Sequence, residues 1–399
     1  MPQTPTVVYN QNFSTSAGTG GPRINIDYRM QLIQQRESAA PFLALMLHIN
    51  SEGTQTYQFN NFETRPNPKK AIVNASGTAA GTVANTVQIT LATASNATFF
   101  NINNIVIAKT AVAGSGQTVV GIVTALDTTN GYVTVKPNDP TKAFAAVPGG
   151  DELQVWGNSQ PQGATSANPT GTQPKLNTFY TQIFKDSYQV NRTQANNRLY
   201  GAPERDRLRS EREIDHLMDI ERALLRGDGI VDTSYFSDPR TTLSGLLNQI
   251  QSNVLSYGAN LTTQALFNFM TTVHAPKYAP DGKQSRRMVL ASADVMAAIN
   301  NIALATRREL QVATVFGVDV SKLVWAGRTW DFIEHPILSD VLPGWAVVFH
   351  PRYVKLREFR PTRLEANIQA NDADYYKDQF LTELGLEVQL EELHGVMHP

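Results

Sequence analysis

Seven histidines are the first residues to consider for chemistry: His48, His216, His274, His335, His350, His394 and His398. A catalytic or structural metal site needs such rings a few residues apart on a rigid element, with a carboxylate nearby. No HExxH occurs. His394 and His398 are four apart, but Gly395 lies between them and Pro399 follows. That sequence breaks the helix that would aim both rings at one ion. Glu383, Glu387, Glu391 and Glu392 suggest the paired carboxylates of a glycosidase. Their surroundings read as a strand, on which 383 and 387 share a face but stand more than about 10 Å apart. A solvated surface is the expected reading. Gly18-Thr19-Gly20-Gly21 has the glycines of a phosphate loop without its Gly-Lys-Ser/Thr ending or a preceding strand. There is no GxSxG elbow. With no cysteine, thiolate nucleophiles, thiolate metal sites and disulfides are excluded. The sequence therefore predicts no catalytic, cofactor-binding or metal-ligating residue, and implies no cofactor.

The composition points towards self-association. Charged residues make up 17% of the 399, against about 25% in typical soluble domains. Asn, Thr, Gln and Ser take their place. A polar, weakly charged surface suits a chain that buries itself against copies of itself. The net charge of −1 exerts no strong pull on nucleic acid, which argues against a dedicated nucleic-acid binder but not against a wall around one. Met1 to Asn12 has neither a basic end nor an apolar run, so no signal peptide is expected. Pro41 to Leu47, the longest apolar stretch near the start, is too short to span a bilayer.

The elements follow in a definite order. Residues 1–36 read as an extended arm, glycine- and serine-rich at Ser14–Gly21, with a short helix at 28–36; a neighbouring copy could hold the arm still. Pro41–Ile49 is a compact apolar anchor. Thr54–Phe62 alternates as a strand, with Tyr57 and Phe59 on one face. From Ala71 to Thr170 only seven residues carry charge, and β-like runs alternate with turns. These are Val87–Leu91, Ile105–Ile107, Val119–Leu126 and Tyr132–Lys136, the last two flanking an Asp127–Gly131 turn, and then Leu153–Trp156. They predict a small inserted β domain. Ser159–Pro174 is a linker. Thr178–Lys185 and Tyr188–Thr193 are strand-like.

A long helix is predicted after Pro203, with 13 charged residues among the 24 from Pro203 to Arg226. Gly227 and Gly229 stand where C-terminal glycines end helices. Arg207–Glu211 and Arg209–Glu213 are spaced to pair, and these four are the candidate contacts with a neighbouring subunit. Ile214, Leu217, Met218 and Leu225 form the expected packed face. Residues 241–345 read as α/β, with helices at Leu243–Leu255, Thr262–His274 and Asp294–Leu304 and strands at Arg287–Ala291, Val318–Val320 and Lys322–Trp325. Strands return at Trp345–Phe349, Val354–Phe359 and Leu384–Leu390.

Asn177–Phe184, leading into Tyr188–Thr193, then Ile220–Gly227, Val315–Val320 and Thr382–Val388, together resemble the tailed-bacteriophage major capsid proteins of the Hong Kong 97-type fold. The resemblance covers roughly residues 175–399; the first 170 match in layout. It implies an α+β fold with an N-terminal arm (1–36) and a peripheral domain with E-loop and long spine helix (37–66, 158–240 and 346–399). An axial domain (241–345) and an inserted β domain (67–157) complete it. The insertion departs from the minimal fold and would clamp neighbours or face outward. The implied function is self-assembly, through hexamers and pentamers, into an icosahedral head shell around phage double-stranded DNA. The chain would be made in the host bacterial cytoplasm, contact no membrane, and meet portal, scaffold or cement proteins. Some relatives crosslink through Lys and Asn; no such pair is matched here. An encapsulin-like nanocompartment shell is the alternative within the fold. A β-rich secreted surface-layer protein or adhesin is the alternative outside it, opposed by the missing signal peptide and the α/β block.

Overall fold

The computed structural model describes residues 40–64, 67–165, 174–196, 203–234, 238–258, 260–274, 286–305, 311–315, 318–325 and 328–399. The arm at 1–36 with its expected short helix, and part of the Ser159–Pro174 linker, lie outside the described residues. The described residues form two compact units, one of those up to 63 and from 176 onward, the other of those between 64 and 175.

In the first unit a four-stranded sheet runs in the order Ser51–Gly53, Val354–Glu365, Tyr375–Val388, Gln182–Asn191. Its long strands are antiparallel, and only Ser51–Gly53 joins in parallel. The 14-residue strand Tyr375–Val388 alternates as a pleated strand must. Phe380, Thr382, Leu384, Leu386 and Val388 share the face that meets the helix Glu204–Arg226. Leu384, Leu386 and Val388 join Ile220, Leu224, Phe42 and Met46 in one apolar cluster. Pro41–Ile49 is a helix, and its Phe42 and Met46 are fully buried.

A seven-stranded sheet follows: Val254–Ser256, Gly395–His398, Ala346–Phe349, Arg286–Ala291, Arg328–Glu334, Val318–Trp325, Gln311–Val315. Its middle strands are apolar on both faces. Met288, Leu290, Val347 and Phe349 enter the cluster under the long helix. Val289, Ala291, Ala346, Val348, Trp330 and Phe332 pack under the helices Thr263–Val273 and Ala293–Ala305. Such strands read as near-continuous apolar runs because helices cover both sides.

Several elements differ from expectation. No helix spans Leu243–Leu255: a single turn, Leu246–Gln249, is followed by the strand Val254–Ser256. Side-chain amides outcompete the helix there. Gln249 donates to Leu386 O and accepts from Val388 N, and Asn253 donates to the carbonyls of Glu392 and His394. Ala346–Phe349, expected as a strand, pairs in the seven-stranded sheet with Gly395–His398, a strand that was not expected. The strand break expected between 185 and 188 falls at Thr181, whose N–H donates to Tyr57 O and whose hydroxyl donates to Glu383. Gly227 ends the long helix with an ordinary negative φ of −67°. It is glycine because a Cβ there would stand 2.1 Å from Leu243 O.

The second unit is a closed barrel. Its six strands follow the order Lys70–Ile72, Glu152–Asn158, Asn104–Ala108, Val120–Asp127, Tyr132–Pro137, Val87–Thr90. The two outer strands meet through a Val73–Leu91 bridge, flanked by Asn74 N to Thr90 O (2.8 Å) and Ala92 N to Ile72 O (2.9 Å). Closure removes the open edges on which strands aggregate. Ile89, Val106, Val123, Val133, Val135, Phe144 and Leu153 fill the interior, each fully buried. The Asp127–Gly131 turn forms as expected, with the Asp127 carboxylate accepting from Thr129 N and Asn130 N. On either side of this unit in sequence, Gln58–Glu63 and Lys175–Tyr180 pair as a two-stranded ribbon.

Candidate subunit-contact surfaces

The helix Glu204–Arg226 is positioned by buried polar groups more than by its apolar stripe. Glu221 is 0% exposed. Its carboxylate accepts from Phe42 N (2.7 Å) and Leu43 N (2.9 Å), and lies 2.7 Å from His335 Nε2. Phe42 and Leu43 are in the first turn of Pro41–Ile49, whose N-terminal N–H groups have no partner within their own helix. Ala40 before them offers no side-chain cap. Glu221 is therefore a cap supplied from a distant helix, with the charge sign the dipole favours. His335 Nδ1 accepts from Leu338 N (3.4 Å) at the start of Pro336–Val341. That bond leaves the proton on Nε2, from which it is donated to Glu221. One carboxylate thus ties three helices together.

Further along the same helix, His216 (1% exposed) bridges Asp186 and Thr382 and stacks on Phe380 at 5.9 Å. Arg205 makes a two-point contact with Asp378 (2.8 and 2.6 Å). Burial raises the Asp378 carboxyl, but the Arg205 guanidinium, Asn367 N–H and Tyr188 hydroxyl outweigh it and hold it below the usual aspartate range. Burial, with the bond to Asp378, pushes the Tyr188 phenol up to about 12. The observed packed face is His216, Ile220, Glu221, Leu224 and Leu225. Of the expected face, Leu225 is buried, while Ile214, Leu217 and Met218 are only half-buried. The stripe is rotated because polar partners reach under the helix and draw His216 and Glu221 inward.

The glutamates of the last long strand are not solvated, contrary to expectation. Glu383 and Glu387 are 3% and 2% exposed. Glu383 accepts from Arg360 Nε (2.6 Å) and Thr181 Oγ1 (2.9 Å); Glu387 accepts from Arg357 Nε (2.6 Å). Glu391 binds Gln251 N and Ser252 N. Glu383, Glu387 and Glu391 are thus engaged by structural partners within the subunit. The ribbon crosses this face at Gly385, where a Cβ would come within 2.8 Å of the Phe59 ring and of Tyr180 O. Phe59 stacks on Phe179 at 5.6 Å. Tyr57, Phe62 and Leu176, at or next to the ribbon, remain 52%, 69% and 49% exposed.

Of the four residues singled out on the charged helix, Arg207 pairs with Glu211 as expected and also with Glu204. The second expected pair is not made. Arg209 and Glu213 are exposed, and among the described residues neither has an ion-pair partner. The charge of Arg209 lies on the Tyr188 side of the helix. Glu221, His216, Arg205 and Asp378 escaped sequence reasoning. Only Glu221 carried a signal, a charge set between Ile220 and Leu224–Leu225. Among the described residues no group of three or more His, Asp or Glu could hold a metal ion. No described helix is long and apolar enough to cross a membrane.

The described site holds buried carboxylates bound within the subunit and several exposed aromatic and aliphatic side chains; the class of protein comes from the family match. Residues 6–399 match the family model described as the SU10 major capsid protein, and the chain belongs to that family. It is a major capsid protein, a subunit of an oligomeric phage shell. Among curated proteins no relative matches. Solved structures similar to it include one from Microbacterium phage Oxtober96 (8% identity, 93% of this chain and 95% of that chain, TM-score 0.46). Another is the capsid of Myoviridae phage XM1 (14%, 60% and 80%, 0.41). A third is the holo-SrpI encapsulin complex from Synechococcus elongatus (12%, 57% and 77%, 0.41).

Proposed function

We propose that this chain assembles through hexamers and pentamers into a closed icosahedral head around phage double-stranded DNA, and that it catalyses no reaction. The family match over residues 6–399 carries this reading. In it, residues 1–36 are the arm that reaches neighbouring copies. The helix Glu204–Arg226, the four-stranded sheet and the ribbon are the peripheral part with its E-loop. The seven-stranded sheet with its two helices is the axial part, taking in 346–349 and 395–398. Arg209 and Glu213, exposed on the long helix, are the residues of the candidate set best placed to reach another copy; Arg207 and Glu211 are engaged within their own subunit. Each contact is modest, and many made at once hold a closed shell far more firmly than any one of them. The near-zero net charge limits repulsion between copies, and the enclosed DNA is held without sequence reading. Assembly takes place in the host cytoplasm, with portal, scaffold or cement proteins as further partners.

Size-exclusion chromatography and negative-stain microscopy of the full chain provide the test. Shells hundreds of ångströms across that protect nucleic acid from nuclease are the expected result. Shells filled with protein cargo instead would favour the encapsulin-like reading. A persistent monomer that turns over a small molecule would end both.

A further inference from the structure

The closed barrel of residues 64–175 carries an apolar surface on its outside. Strand partners share a face, and Val106 opposite Gly121 points inward, both buried. Ile105 opposite Ile122 and Ile107 opposite Val120 therefore point outward, and all four are half-buried. On the next strand Gln154 lies opposite Ile107, and the register slips between Val155 and Gly157. The extra residue of that bulge is Trp156, 70% exposed. Its indole N–H reaches outward-facing Gln154 Oε1 at 3.4 Å, which sets the ring on the outer face. A Cβ on Gly157 beside it would meet nothing within 4 Å. A bulge is the device that re-aims one side chain out of a ladder. Here it adds the largest apolar side chain to a row that already holds Ile105 and Ile122.

We infer that this face, centred on Trp156, docks against a second copy of the chain in the shell. The inference rests on the shell reading above and adds the surface and its occupant. Three observations select the occupant. Charge frames the face: Lys136 lies opposite Ile122 and Lys70 opposite Gln154 on the adjoining strands, and Lys70 and Lys109 both pair with Glu152. An apolar centre with a polar rim is the anatomy of a protein contact, and tryptophan is among the residues that dominate such contacts. Isoleucines at the centre argue against a sugar or nucleic-acid ligand, which would need polar groups there. Finally, a stable isolated pair needs about 800 Å² from each partner, whereas one exposed ring contributes at most about 150–250 Å². A face of this size suits one of several simultaneous contacts in a lattice of identical copies.

The test uses the full-length chain. Acrylamide quenching attributable to Trp156, obtained by difference from Trp156→Phe, is compared in free subunits and in shells. Strong quenching in subunits and a severalfold loss of quenching in shells are expected. Trp156→Arg and Ile105→Arg should lower shell yield about tenfold with unchanged circular dichroism of the subunit. Val83→Arg, at a residue 57% exposed in the segment leading to Val87–Thr90, should assemble normally. Shells in which Trp156 stays as quenchable as in subunits would overturn the inference while leaving the shell reading intact, as would normal assembly of Trp156→Arg. So would protection of Trp156 only on adding a different protein.

Discussion

Replacing Glu221 by Ala removes the acceptor from three donors at once: Phe42 N, Leu43 N and His335 Nε2. Each orphaned buried donor costs about 1–3 kcal/mol, or about 3–9 kcal/mol together. Relief from holding a buried carboxylate offsets part of that sum. The expected loss is about 4 kcal/mol, in the lower half of that span. Glu221→Gln should cost less, about 2 kcal/mol, because one amide oxygen still accepts while its NH2 opposes a donor. Full rescue would require His335 to move its proton to Nδ1, where it would confront Leu338 N–H. Urea denaturation of the unassembled subunit measures both variants. A double-mutant cycle with His335→Ala should give a coupling of about 1 kcal/mol or more. If Glu221→Ala stays within about 0.5 kcal/mol of the parent, the magnitude of an exposed-site substitution, the claim that this carboxylate ties three helices together fails.

Other outcomes follow from the same geometry. Burial, with Arg287 nearby, pushes His274 and His394 down to about 3, whereas the unfolded chain titrates near 6.5. Their contribution is complete above pH 6.5 and shrinks as pH falls towards 3, because the unfolded state takes up the protons first. At pH 5 each should cost about 2 kcal/mol, and a urea midpoint unchanged between pH 7.5 and 5 would contradict this. Ile220→Asp puts a charge on a fully buried position and should cost several kcal/mol, about 4. Met218→Asp, at a half-buried position, should cost less than half as much; equal losses in denaturation would restore Met218 to the packed face. Deleting residues 67–157 with a short linker should leave a cooperatively melting core, because Gln58–Glu63 and Lys175–Tyr180 still pair, while weakening or misdirecting assembly. Particles of parental yield and size from that deletion would remove the barrel from assembly.

Legibility varied with the range of the forces at work. Thr263–Val273 and Ala293–Ala305 were read to within a residue because caps and a 3.6-residue apolar period are local signals. The Asp127–Gly131 hairpin was legible for the same reason: aspartate and glycine close the turn within five residues. Leu243–Leu255 misled because its apolar residues allow a helix, while Gln249 and Asn253 find backbone partners more than a hundred residues away. Glu383 and Glu387 looked solvated because nothing local reveals Arg360 and Arg357 on the adjoining strand.

The amino-acid order by itself determined the sequence of elements, the charged helix, the low-charge β insertion, and the absence of thiol and zinc-motif chemistry. Each follows from residue types a few positions apart. Only the tertiary structure decided which helix face is buried, which carboxylates are spent on structure, that the barrel closes, and that Trp156 stands outside it. Those outcomes depend on partners brought together by folding. A charge at a given position is wet or buried according to whether a distant donor arrives to meet it.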